Sequence, residues 1–489
     1  MIGFASILSV LQNLVAAITV FILYRFLIDN VGAAQVGIWS IVVASTAVAK
    51  LGDLGFSGGV VNFVSRYFFK GQRHDAAVVI QTALLTTIFL TGLLLVCAYP
   101  LFNYALPFFI VKESDVEIAK KILPVALTNL WLGSAVSCVQ SGLDACNEII
   151  KRNIVAISSN LVLLGASLFF IPTDGIHGAA IAQLIQTLYL LLVSWIILRR
   201  ILSLPWFPFV WSFSKFKEMF LFSFAFQFNS LLGLFFDPFI KLALSRFGDL
   251  SSVAYYEMCG QLISKVRSLI VSANQVLTPK VAAISVDDKT GLGAFYQQVF
   301  SIHCYFYLPI FTVLVASFYI FSYLLTGAYS ERFIIFGMIL SFGWFVNGFN
   351  IPAYFFYLGV GRMRWNILSQ LINSISCVVF CMVLGHFFGG YGVICAVTVS
   401  LLMGSWIPIW ALHVDYSIYW KPLFFNQILF GFLGFLVVFV GLLSLHEYFH
   451  LPNKFIWIFI ALVYSFVGIA FLADQRFKLF LINIFRGDR

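Results

Sequence analysis

The chain has 489 residues, of which 61% are hydrophobic and only 10% charged, with a mean hydropathy of +0.99 and a formal charge of +9. Soluble domains carry about 25% charged residues, and no single aqueous core of this length could cover so much apolar surface, so a soluble globular protein is excluded. Hydrocarbon must cover it, and the fold class is an all-α integral membrane protein.

A spanning helix needs about 20 mostly apolar residues, because each adds about 1.5 Å across a core of about 30 Å. Fourteen windows meet this: 4–28, 38–63, 79–105, 122–146, 154–172, 178–199, 218–245, 252–278, 297–325, 332–358, 366–388, 391–412, 424–446 and 455–473. None alternates with the period-two pattern of a barrel strand. The first lacks a positive leading region and a small-residue cleavage site, so it reads as a retained span. The eight Cys fall in or beside apolar windows without a CxxC pair, as small buried hydrophobes do.

Basic residues in alternate connections set the orientation. One side carries eighteen of the 29, from Arg66, Lys70 and Arg73 through Arg199, Arg200, Lys215 and Lys217 to the tail; the other side carries six. Both termini are therefore expected in the cytoplasm.

The windows also repeat. Arg25 and Lys241, Lys50 and Arg267, and Gly32 and Gly248 recur at offsets of 216–217, and Asn153, Asn160 and Gly178 recur as Asn366, Asn373 and Gly392 at 213–214. This predicts two pseudo-symmetric six-helix halves, 1–200 and 201–413, both inserted in the same sense, with two additional C-terminal helices and a tail over 414–489. Such parallel repeats are common in secondary transporters.

Five basic residues lie inside the windows: Arg25, Lys50, Lys241, Lys265 and Arg267. On insertion scales a charge at a helix centre costs about 2.5–3.5 kcal/mol, so each needs a reason. Arg25 has Asp29 one turn later, Lys50 has Asp53, and Lys241 has Asp237, as compensated pairs would; Lys265 and Arg267 have no acid within a turn. The excess of cations predicts a positively charged, water-accessible cavity between the halves that binds a phosphate or pyrophosphate group through charge-assisted hydrogen bonds. Asp53 and Asp237 are the candidate coupling or charge-compensating acids. Gly52, Gly55, Gly58 and Gly59 form a candidate hinge, with close packing of small residues an equal reading. The four Asn of the repeat read as interhelical hydrogen-bonding groups or as glycan contacts. No metal-ligand spacing and no phosphate-binding P-loop occurs, so neither a metal nor a cofactor is predicted.

The fourteen-helix layout, the loop Val31-Gly32-Ala33-Ala34-Gln35-Val36-Gly37-Ile38-Trp39 and the run Gly52-Asp53-Leu54-Gly55 resemble those of bacterial polysaccharide flippases. These are the Wzx-type O-antigen and exopolysaccharide exporters of the multidrug/oligosaccharidyl-lipid/polysaccharide (MATE-like) superfamily. The resemblance implies a transporter and not an enzyme. It implies translocation of an undecaprenyl-pyrophosphate-linked oligosaccharide from the cytoplasmic to the periplasmic leaflet by alternating access, with the five basic residues placed as cavity cations. It also implies the inner membrane as location, a polysaccharide polymerase and a chain-length regulator as further partners, and no nucleic acid. A cation-coupled drug antiporter of the same fold, or a polytopic polymerase or ligase, is the competing expectation.

Overall fold

The computed structural model describes residues 2–46, 56–110, 112–220, 236–275 and 291–416, with isolated positions at 277, 281, 435, 438, 441 and 463. Among these residues the regular elements are helices and no strand occurs. They are α1 (Ile2–Thr46), α2 (Phe56–Phe69), α3 (Arg73–Phe109), α4 (Glu113–Ala145), α5 (Ile149–Leu202), α6 (Phe236–Phe247), α7 (Leu250–Gln275), α8 (Gly291–Thr326), α9 (Glu331–Gly348), α10 (Ile351–Val360) and α11 (Arg364–Tyr416). Seven stretches among the described residues are long and apolar enough to cross a membrane. Of the last two predicted windows, 424–446 and 455–473, only the isolated positions 435, 438, 441 and 463 are described.

Two helices are each long enough for two spans. At about 1.5 Å per residue, the 54 residues of α5 and the 53 of α11 far exceed a bilayer core, and each is interrupted once, at Gly175 and Gly389 respectively. Their backbones match closely, with φ 57° and ψ −133° at Gly175 and φ 60° and ψ −142° at Gly389. Only glycine enters this region without steric cost. The match continues three residues on. A Cβ on Gly178 would overlap the carbonyl oxygen of Phe170, and one on Gly392 would overlap that of Leu384, at the same offset. Both hairpins therefore fold back on themselves at the same place. The first helix pairs differ: Gly32 bends α1 with φ 79° and ψ 163°, whereas α6 stops and Gly248 donates its N–H to Leu244.

The chain divides into two compact units: residues 1–258 with 374–397, and residues 259–373 with 398–489. In the first, α2, α3, α4 and the end of α5 pack through small and branched side chains such as Val64, Ile80, Ala83, Ala135, Val139 and Leu198. Small residues let helices approach closely where lipid is as apolar as the side chains. The polarity of α3 is inverted relative to a soluble helix. Gln81, Thr82, Thr86, Thr87 and Thr91 are buried, while Phe89, Leu93 and Val96 are exposed, as expected where the surroundings are hydrocarbon and only the interior can satisfy polar groups.

The second unit has an aromatic interior. Tyr307 of α8 stacks on Phe345 with ring centroids 5.6 Å apart, and its hydroxyl donates to the carbonyls of Trp344 and Phe345 at 2.9 and 2.7 Å. Those carbonyls lie in the last turn of α9, where the helix breaks before Pro352 restarts it as α10. A terminal turn leaves carbonyls without intrahelical partners, and Tyr307 supplies one.

Candidate functional site

The charged residues expected within the bilayer fall into two chemically different settings. In the first unit, Lys241 is almost fully buried, and its Nζ lies 2.7 Å from Asp237 and 2.5 Å from Glu257. Asp237 is the i,i+4 partner on α6, whereas Glu257 comes from α7 across the turn at Gly248. Tyr256 donates to Asp237 at 3.1 Å, and the Tyr24 hydroxyl of α1 lies 3.5 Å from Glu257. Two carboxylates flank one ammonium, so Lys241 is compensated where it stands. Glu257 was not among the candidate residues. Its only sequence signal is that it and Lys241 lie at comparable distances on either side of the Gly248 turn, opposite one another in a helical hairpin.

Arg25 is partly satisfied. Its Nε meets Asp29 at 2.9 Å, both side chains being more than a third exposed, while the buried Nη1 has no hydrogen-bond partner.

In the second unit, α7 carries Lys265 and Arg267, and neither has a carboxylate at ion-pair distance among the described residues. Lys265 is partly exposed. Arg267 is held more elaborately. Its Nη2 donates to Asn347 Oδ1 at 3.1 Å, and its guanidinium carbon lies 4.5 Å from the centroid of the Trp344 ring. Trp344 and Asn347 are three residues apart on α9 and so share a face. Asn347 in turn donates to Ser405 Oγ at 2.9 Å, which fixes its amide with the oxygen toward the guanidinium. The Nε of Arg267 is buried without a partner. A planar guanidinium is thus clamped between a ring and an amide oxygen, with no carboxylate at ion-pair distance among the described residues. Neither Trp344 nor Asn347 was predicted, because both lie in an apolar window and act only through contact with another helix.

Lys50, Asp53, Gly52 and Gly55 lie outside the described residues. Gly58 and Gly59 fall in the first turn of α2. Three of the four repeat Asn bond across helices or helix arms, and the fourth packs against a glycine. Asn153 donates to Ser9 at 2.7 Å, Asn160 accepts from Gln186 at 3.3 Å, Asn366 donates to the Tyr354 carbonyl at 3.2 Å, and Asn373 lies directly over Gly404. Among the described residues no group of three or more His, Cys, Asp or Glu could hold a metal ion.

Helices with lipid-facing apolar surfaces, interrupted hairpins and embedded cations define a polytopic membrane protein with the fold of flippases and MATE transporters. That fold is similar to the lipid II flippase MurJ in an inward closed conformation, with a TM-score of 0.72 at 15% identity over 96% of this chain and 98% of that one. It is similar to an inward-facing multidrug resistance MATE family transporter of the MOP superfamily, with a TM-score of 0.69 at 15% identity over 83% of this chain and 94% of that one. A Vibrio cholerae MATE transporter gives 0.58 at 16% identity over 84% and 96%. No curated protein matches the sequence. A model of the polysaccharide biosynthesis protein family matches residues 2–285, more than half of the chain, and the chain belongs to that family. The resemblance drawn from its sequence is thereby borne out.

Proposed function

We propose that the protein is a flippase that carries an undecaprenyl-pyrophosphate-linked oligosaccharide, an O-antigen or exopolysaccharide repeat unit, from the cytoplasmic to the periplasmic leaflet of the bacterial inner membrane. The observation that carries this reading is the guanidinium of Arg267, clamped by Trp344 and Asn347 and without a carboxylate at ion-pair distance among the described residues. Keeping such a charge within an apolar bundle costs several kcal/mol unless an anion offsets it, and a pyrophosphate offers oxygens to a guanidinium. Family membership in polysaccharide biosynthesis and a fold shared with a lipid II flippase support a lipid-linked glycan as the anion's carrier. Lys265, two residues away on α7, is the other cation proposed to serve it, and Arg25 and Lys50 are proposed to bind the same substrate. Asp53 and Asp237 are proposed to couple transport to an ion gradient, Asp237 through its bond to Lys241.

The reading is tested with the full chain reconstituted in vesicles holding labelled lipid-linked glycan. The label should cross between leaflets with its mass unchanged. A lengthened product would make the protein a polymerase, and export of cationic drugs without glycan movement would make it an antiporter; either overturns the proposal.

A further inference from the structure

The connection between α5 and the short helical stretch at 213–220 is built from aromatic residues that the protein does not cover. Trp206, Phe207, Phe209, Trp211 and Phe213 are exposed by 61, 68, 77, 49 and 65%. Such exposure usually marks loose chain, but this segment is fixed. The backbone N–H groups of Phe209 and Val210 donate to Gln81 Oε1 at 3.2 and 3.4 Å, that of Ser212 donates to Thr82 Oγ1 at 3.2 Å, and the Trp211 indole donates to Thr86 Oγ1 at 3.0 Å. Trp195 donates to the Trp206 carbonyl at 2.9 Å, and Arg199 stacks over the Trp206 ring at 3.9 Å.

These partners give the depth of the strap. Gln81 and Thr86 stand about 12 and 20 Å along α3 from Arg73 at 1.5 Å per residue, which is below a headgroup layer about 6 Å thick and among the acyl chains when Arg73 stands at headgroup level. Backbone N–H groups at that depth have no water to bond, which explains why an otherwise apolar helix buries Gln81 and Thr82 and aims them at the strap. Around it, at the same end of the bundle, stand Arg73, Arg199, Arg200, Lys215 and Lys217. Lys215 is occupied by Tyr67 at 2.6 Å and Asp75 at 3.4 Å, while Arg73, Arg200 and Lys217 are exposed.

We infer that residues 204–217 form an interfacial seat for anionic phospholipids of the surrounding leaflet. The aromatic ridge lies among the upper acyl chains, and the exposed cations bind headgroup phosphates above it. The occupant is assigned by charge complementarity and by depth. A protein partner would have to displace lipid from a ridge already set below the headgroups, whereas anionic lipid supplies both the apolar and the negative component.

The test uses the full chain in nanodiscs of zwitterionic lipid with and without anionic phosphatidylglycerol. The wild type should retain anionic lipid in preference to zwitterionic lipid, as read by native mass spectrometry of the released protein. The combined substitutions Arg73→Gln, Arg200→Gln and Lys217→Gln should reduce that preference about a hundredfold without altering the melting temperature in purely zwitterionic discs. Phe207→Ser with Phe209→Ser should lower the melting temperature in both kinds of disc. Equal retention of both lipids by the wild type, an unchanged preference in the charge variant, or cross-linking of a Phe209→Cys variant to a second protein in place of lipid would each overturn the assignment.

Discussion

The Nζ of Lys241 lies 2.5 Å from a carboxylate oxygen of Glu257 on the neighbouring helix. With Asp237 on its other side, the ammonium joins α6 to α7 in the middle of apolar surroundings. A cation so placed serves first to hold two acids together, which sets it apart from Arg267.

Removing Lys241 alone should therefore be far worse than removing the whole cluster. Lys241→Met leaves two carboxylates facing each other without a counter-charge and should destabilise the protein by about 3 kcal/mol. Adding Asp237→Asn and Glu257→Gln should restore most of the loss. Melting temperatures of the full chain in nanodiscs check this, and a triple variant no more stable than the single one would refute it.

Arg267 should behave in the opposite way. Arg267→Ala should leave the protein level and melting temperature near wild type and lower glycan transport at least about tenfold, the worth of one charge-assisted hydrogen bond. Arg267→Lys should recover only part of the activity, since an ammonium keeps the charge but not the planar stack on Trp344. Full activity of the alanine variant in complementing a flippase-deficient strain would remove Arg267 from the site.

Asn347 offers a sharper variant because it changes charge and little else. Asn347→Asp places a carboxylate against Arg267 and neutralises it internally. The protein should be as stable as wild type or more so, yet transport should fall about as far as in Arg267→Ala. Wild-type transport with a raised melting temperature would mean that the guanidinium is structural.

The matched hairpins predict matched sensitivities. Gly178→Ala and Gly392→Ala each force a methyl group into a backbone carbonyl and should each cost about 1–3 kcal/mol. Gly165, in the same helix α5, has open space where its Cβ would stand, so Gly165→Ala should be neutral or slightly stabilising. Thermal stability of the three variants decides between a specific clash and a general intolerance of α5 and α11.

Asn153 separates packing from glycan contact. Asn153→Ala loses its bond to Ser9 and should cost about 0.6 kcal/mol, the average for such interhelical bonds. Its apparent affinity for lipid-linked glycan should not change; a weakened affinity at normal stability would make it a substrate contact.

Hydropathy alone made the spans of α3, α4 and the two arms each of α5 and α11 legible, because an apolar run of fixed length must meet a bilayer of fixed thickness. The offset of 214 between Gly178 and Gly392 likewise marks two matching positions, each lying over a carbonyl eight residues earlier. The i,i+4 spacing displayed the Asp237–Lys241 pair, since helical rise alone brings such residues together. What the tertiary structure decided is which cation is neutralised and which is left charged. Glu257 reaches Lys241, and Trp344 and Asn347 reach Arg267, only when separate helices pack side by side, and a linear sequence contains no measure of that distance. Helix insertion depends on the summed polarity of each segment, whereas binding depends on the few ångströms between particular atoms of different segments.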